Sequence, residues 1–224
     1  MRILIVSATT AEISFLSENI SSARAGNIFS VFVFKQSIDI LITGVGMTLT
    51  AFHLGMCLQQ NKYDLVINLG LAGAFNKQLQ LGEVVEINSD SFGDLGAEED
   101  RNFLSVIDLG LVNENDYPFR QGKLFAQHLY QQQIKNLRSV EGVTVNKVHG
   151  NDISIDLLRK RCTADVETME GAAFLYVCLY NKINCVQVRG ISNYVEKRDK
   201  SKWNIPLALQ QLELFANKFL MDAS

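Results

Sequence analysis

Short, continuous apolar runs recur along this chain: Ile3-Leu-Ile-Val6, Leu65 to Leu69, and Cys185 to Ile191. A strand that is apolar without alternation is buried on both faces. Segments of helical pattern lie between these runs, and strands interleaved with helices restrict the fold to α/β. Read in order, the pattern gives a strand from Arg2 to Ser7 and a helix from Thr10 to about Ile20. Neighbouring strands follow at Phe29 to Phe34 and Ile38 to Thr43, then a tight turn, Gly44-Val-Gly46, and a helix from Leu49 to Gln60. The strand Leu65 to Leu69 ends in Gly70-Leu-Ala-Gly73, and Glu83 to Asn88 is a further strand. Beyond these come a strand at Val143 to Val148, helices at Ile153 to Arg161 and Thr168 to Tyr180, a strand at Cys185 to Ile191, and a closing helix from Leu207 to Met221. The expectation is a single three-layer α/β/α domain over residues 1–224, around a mixed, mostly parallel twisted sheet. Only two prolines and no Gly/Ser run are present, so no linker divides the chain. The stretch from about Ser89 to Phe125 is long for a structureless connection and is a candidate binding loop or subunit contact.

Charge and cysteine usage exclude several classes of function. The net charge is −3, and no run of Lys or Arg is long enough to track a phosphate backbone, which argues against nucleic acid as a partner. Cys57, Cys162, Cys178 and Cys185 show no CxxC spacing and read as small buried hydrophobes of a reducing, cytoplasmic setting. No segment approaches the roughly 20 apolar residues that span a bilayer, and Met1-Arg2 leads directly into the first strand, with no signal peptide expected. His53, His128 and His149 have no metal-ligand spacing. There is no GxGxxG fingerprint, no Walker A sequence and no GxSxG elbow, so no metal, dinucleotide or other cofactor is implied.

Four polar residues stand where ligands bind in α/β folds, at or beyond the carboxyl ends of strands. Glu12 follows the first strand. Thr9-Thr-Ala-Glu12 also reads as a capping box, in which Glu12 only satisfies a helix terminus. Glu170, after Glu167 and Met169, favours a helix start in the same way, yet a carboxylate there can accept from two vicinal hydroxyls. Arg189 interrupts an apolar strand and needs a partner, either a structural ion pair or a carboxylate it orients for chemistry. Asn193 is a turn residue or an amide offering a donor and an acceptor to a planar ligand edge.

The segments Thr168-Met-Glu-Gly-Ala-Ala173 and Val188-Arg-Gly-Ile-Ser-Asn193 resemble the nucleoside phosphorylase and nucleosidase superfamily. The resemblance extends over nearly the whole chain, through Glu12, Gly44-Val-Gly46 and Asn68-Leu-Gly-Leu-Ala-Gly73. Asp94-Leu-Gly-Ala-Glu98, Ser192-Asn-Tyr-Val-Glu196 and Arg198 to Pro206 are similar to the futalosine hydrolases within it. That resemblance implies a nucleoside phosphorylase-like fold, a homodimer or higher homo-oligomer, a small-molecule nucleoside substrate, and release of hypoxanthine from futalosine in menaquinone synthesis. By the same resemblance Glu12 activates water, Arg189 assists it, and Met169 and Glu170 hold the ribose. Asn193 faces the purine edge, and Gly70, Ala72, Ile153 and Ser192 line the substrate. Two departures are informative. Nucleosidases that release adenine carry Asp where Asn193 stands, and an Asn amide suits a 6-oxopurine. Phosphorylases carry Arg and a hydroxyl residue flanking the glycine where this chain has Asn68-Leu-Gly-Leu71, which favours water over phosphate. The region from Phe92 to Phe103, including Asp94 and Glu98, is the candidate for holding the non-purine end.

Overall fold

The computed structural model describes residues 1–17, 20–23, 27–34, 36–100, 102–127 and 134–222. Strand β1 (Ile3–Ser7) runs into a 3-10 turn (Thr10–Ile13) and one turn of helix, α1 (Ser14–Ser17). Strands β2 (Ile20–Ala23), β3 (Ile28–Val33) and β4 (Gln36–Ile42) precede α2 (Met47–Gln60). Long β5 (Leu65–Ala74) and β6 (Val84–Asp90) follow. A small hairpin, β7 (Gly96–Glu99) and β8 (Asn102–Ser105), and the two-residue β9 (Leu124–Phe125) occupy the stretch expected to be irregular. Then come β10 (Arg138–Thr144), α3 (Asp152–Arg161), β11 (Val166–Thr168), α4 (Gly171–Tyr180), β12 (Cys185–Tyr194) and α5 (Ile205–Asp222).

The run β4-β1-β5-β12 is parallel throughout. Antiparallel pairings join β2 to β3, β3 to β4, β12 to β6 and β11 to β5. The sheet is therefore mixed, and the antiparallel share is larger than a mostly parallel arrangement implies. Its second half curls: β5, β12, β6, β10 and β11 pair in sequence, and β11 returns to β5, closing a five-stranded ring. Strand β5 is the hinge of this architecture. Along one edge it follows β12 from Leu65's neighbourhood to Ala74. On its other edge it pairs with β1 over Leu65–Asn68 and with β11 over Gly73–Ala74. Between them, Leu69 to Ala72 face a fork, where β1 has ended and β11 has not begun.

Both faces around β1 and β5 are packed. Ile5, Ile67 and Val188 meet Leu212 and Phe219 of α5 on one side, and Leu4 and Val66 meet Leu54 and Leu58 of α2 with Phe174 of α4 on the other. In α2 the buried positions Met47, Thr50, Leu54, Cys57 and Leu58 keep helical spacing. Each such leucine contributes about 1.5–3 kcal/mol by burial. No helix among the described residues is long and apolar enough to cross a membrane.

Several boundaries differ from expectation for local reasons. The helix expected from Thr10 to Ile20 is a 3-10 turn followed by one turn of α-helix ending at Ser17, and Ile20 already opens β2; Glu18 and Asn19 lie outside the described residues, as does His128. Thr168 ends a three-residue strand instead of opening a helix, which starts after the Glu170 cap. Strand β10 spans Arg138–Thr144, earlier than the Val143–Val148 run, whose second half forms a loop. Gly70 and Gly73 lie inside β5, not in a turn after it.

Candidate active site

The four polar residues converge on the fork in β5. Glu12 is held by four donors. Its Oε2 accepts from Ser7 Oγ at 3.0 Å, Thr9 N–H at 2.9 Å and Thr9 Oγ1 at 3.1 Å, and its Oε1 accepts from Leu71 N–H at 3.2 Å. The Thr9 contact is the carboxylate half of a capping box. Capping and a chemical role coincide here: the cap immobilises Oε2, and Oε1 turns toward β5. The Leu71 amide is free to donate because the fork leaves it outside both ladders.

Arg189 is 2 % exposed and lies directly beside this carboxylate. A Cβ on Gly70 would stand 2.5 Å from Arg189 Nη1 and 2.9 Å from Glu12 Oε1, so only glycine lets the two groups approach across β5. The expected ion pair is replaced by neutral acceptors. Arg189 Nη2 donates to Asn68 Oδ1 and, at 3.2 Å, to Gln187 Oε1, while its buried Nε has no partner among the described residues. A guanidinium bound by amides keeps its charge uncompensated by contact, and its field reaches Glu170, Glu12 and Asp90 through space.

Glu170 caps α4 and is 8 % exposed. Its Oε1 accepts from Gly46 N–H at 3.0 Å, a contact delivered by the positive φ of Gly46 (101°). Burial raises its proton affinity, and Arg189 and the Gly46 amide oppose that. Met169 sits between Glu170 and the end of β11. Ser192 Oγ donates to Asn193 Oδ1 at 2.8 Å and to Ala72 O at 3.3 Å, and Asn193 Nδ2 donates to Tyr194 O at 3.1 Å. A carbonyl only accepts, so the Tyr194 contact sets which way the amide faces. One Nδ2 hydrogen and one Oδ1 lone pair remain for a ligand edge.

Ile153 lies in the first turn of α3, and its side chain is 72 % exposed. Asp94 is committed to Asn146, accepting from its N–H at 2.6 Å and its Nδ2 at 3.2 Å, and Glu98 is exposed in β7.

A buried network supports the site and escaped sequence reasoning. Asp90, fully buried, accepts from Gln187 Nε2 at 2.9 Å, Thr144 Oγ1 at 2.9 Å and Ser91 N–H at 2.8 Å. Gln187 is thereby oriented to present Oε1 to Arg189, and Thr144 Oγ1 receives the Ala172 amide of α4 at 2.7 Å. Gln187 and Arg189 share a strand face at period two, the one signal that could have linked them. Burial pushes the Asp90 carboxyl up from 3.8 to about 6, against the pull of Gln187, Thr144 and Arg189. The protonated form therefore favours folding: that contribution is full below pH 3.8 and is lost as pH rises through about 6. Between pH 4 and pH 7, the wild type should lose roughly 2 kcal/mol of unfolding free energy relative to Asp90→Asn. Denaturant midpoints of both proteins at the two pH values check this, and a constant difference refutes it.

The description that matches residues 2–221 is the phosphorylase superfamily. The futalosine hydrolase of Acidothermus cellulolyticus is 31 % identical over 217 residues, covering 94 % of this chain and 86 % of its own. That of Thermus thermophilus is 29 % identical over 187 residues, covering 81 % and 80 %. The crystal structure of the 5'-methylthioadenosine/S-adenosylhomocysteine nucleosidase of Neisseria meningitidis, in complex with methylthio-immucillin-A, superposes with a TM-score of 0.83 at 16 % identity, covering 99 % of each chain.

Proposed function

Because the chain belongs to the phosphorylase superfamily, we propose that it hydrolyses the N-glycosidic bond of futalosine and releases hypoxanthine. The observation that carries this reading is the approach of Glu12 Oε1 and Arg189 Nη1 across Gly70. A water lodged there meets a proton acceptor and a cation together. Glu170 accepts from the ribose hydroxyls and stabilises positive charge developing on the sugar, with Met169 beside it. Loss of the base and approach of water then need little covalent chemistry from the protein, and positioning with electrostatics supplies most of the acceleration. Ala72 and Ser192 line the base side, and Asn193 reads the purine edge.

Water is favoured over phosphate by the commitments of the β5 side chains. Asn68 Nδ2 donates to Val6 O at 3.0 Å while its Oδ1 serves Arg189. Leu71 offers only its backbone. A phosphate would find no free cation and no hydroxyl at these two positions. Asn193 disfavours the adenine-releasing reading, since its amide has no acidic proton to share with a 6-aminopurine.

The working unit in this proposal is a single domain, cytoplasmic and homodimeric. Val45, just before α2, and Leu49, Phe52 and Met56 on it form an exposed apolar stripe next to the Gly46–Glu170 contact, and support association there. Incubation with futalosine in phosphate-free buffer should liberate hypoxanthine at a rate that added phosphate does not raise. Ribose 1-phosphate-type products, or release of adenine from methylthioadenosine at a comparable rate, would reject the assignment.

A further inference from the structure

Hydrolysis as proposed leaves one proton unassigned. The purine departs with the electron pair of the broken bond, and Asn193 has no ionisable hydrogen to give it. His149 and Glu167 form a second polar pair on this side of the molecule that the mechanism above does not use. Glu167 is 4 % exposed; its Oε1 accepts the His149 N–H at 2.9 Å, and its Oε2 meets ring Nδ1. A carboxylate oxygen in that contact places the hydrogen on Nδ1, so Nε2 is the nitrogen left to carry and release a proton. Nε2 has no partner among the described residues, and the side chain is 10 % exposed. This is the arrangement of a base or acid oriented by a carboxylate.

Strand register brings the pair to the base side. Glu167 of β11 is the partner of Gly73 on one edge of β5, and Asn193 of β12 is its partner on the other. A Cβ on Gly73 would stand 3.1 Å from Asn193 Nδ2, so Asn193 projects to the Cβ side of Gly73. Residues paired across a ladder project to the same face, and strands lie about 4.8 Å apart. Glu167 and Asn193 therefore flank a floor without side chains at Gly73, about 10 Å apart at the backbone. The loop carrying His149 closes on the segment after Asn193: Gly150 O accepts the Arg198 N–H at 3.1 Å, and Arg198 lies over the Trp203 ring at 5.0 Å.

We propose that His149, oriented by Glu167, protonates the departing purine from Nε2 while Asn193 holds its edge. This rests on the nucleosidase reading. The bond from C1′ to N9 breaks and its electron pair stays with the base. The Nε2 proton passes to a base nitrogen, the water oxygen bonds to C1′, and the water proton passes to Glu12. Solvent then returns a proton to His149 and takes one from Glu12.

His149→Gln should lower kcat for futalosine by about 10²-fold or more. Hydrolysis of p-nitrophenyl riboside, whose phenolate leaves without a proton, should change by less than about threefold. His149→Ala should regain turnover on futalosine with added imidazole. Equal losses on both substrates without imidazole rescue would overturn the proposal and leave the pair a tether for its loop, as would undiminished turnover of futalosine by His149→Gln. A wild-type protein that releases no base from futalosine removes the nucleosidase reading itself, an outcome distinct from either.

Discussion

Glu12→Gln should lower kcat for hypoxanthine release by about 10²- to 10⁴-fold while KM moves little. The geometry separates this effect from binding. Oε2 is occupied by Ser7 and Thr9, and only Oε1, beside Gly70 and Arg189, is placed to receive a proton. A Gln side chain keeps the shape and loses the basicity. It must place its oxygen among the Ser7 and Thr9 donors, which turns its NH2 against the Leu71 amide, and that mismatch costs about 1–3 kcal/mol of stability. Steady-state kinetics on futalosine with a melting curve of each protein make the comparison. Turnover within about threefold of the wild type, in a folded variant, would remove Glu12 as the base.

Asn193→Asp should move the ratio of kcat/KM for 6-oxopurine over 6-aminopurine nucleosides toward the amine by about 10- to 100-fold. The Asn amide donates from Nδ2 to Tyr194 O and accepts from Ser192, leaving one donor and one acceptor for the base. An Asp presents an oxygen where Nδ2 stood. The oxygen repels both the Tyr194 carbonyl and O6 of a 6-oxopurine unless it is protonated. A 6-amino group instead finds an acceptor. Each buried polar atom left unpaired costs about 1–3 kcal/mol, and the one atom that changes faces the six-position. Competition between inosine-type and adenosine-type substrates reads the ratio directly; an unchanged ratio would mean that Asn193 does not pair with the six-position.

Glu12, Glu170, Arg189 and Asn193 were legible as polar residues in or near strand ends, where the fold class puts ligands, and through the family motifs that contain them. Their supports were not. Asp90, Gln187 and Asn68 each look like isolated polar residues in strands, and only β5, β6 and β12 lying side by side makes them one network. His149 and Glu167 are separated by a helix and meet because β11 pairs with β10, whose following loop carries His149. Gly70 and Gly73 read as turn residues since glycine's usual use is in turns. Here their value is steric: side chains from neighbouring strands fill the space that a Cβ would take. The over-long helix at Thr10 shows the opposite error, in which helical spacing continued on paper after the chain had turned into an edge strand.

The fork in β5 bears on how the molecule can move. A strand bonded along one whole edge and divided between two neighbours on the other cannot slide by a residue without breaking three ladders at once. Amide hydrogens of β5 should therefore be among the slowest to exchange, with the Leu71 amide a local exception guarded by one carboxylate. Admission and release of a nucleoside then fall to the connecting segments, the Gly44–Gly46 turn, the 147–151 loop and the 196–204 strap. Arg189 and Asn193 are tied to that frame, whereas His149, the proton donor proposed above, rides on its rim.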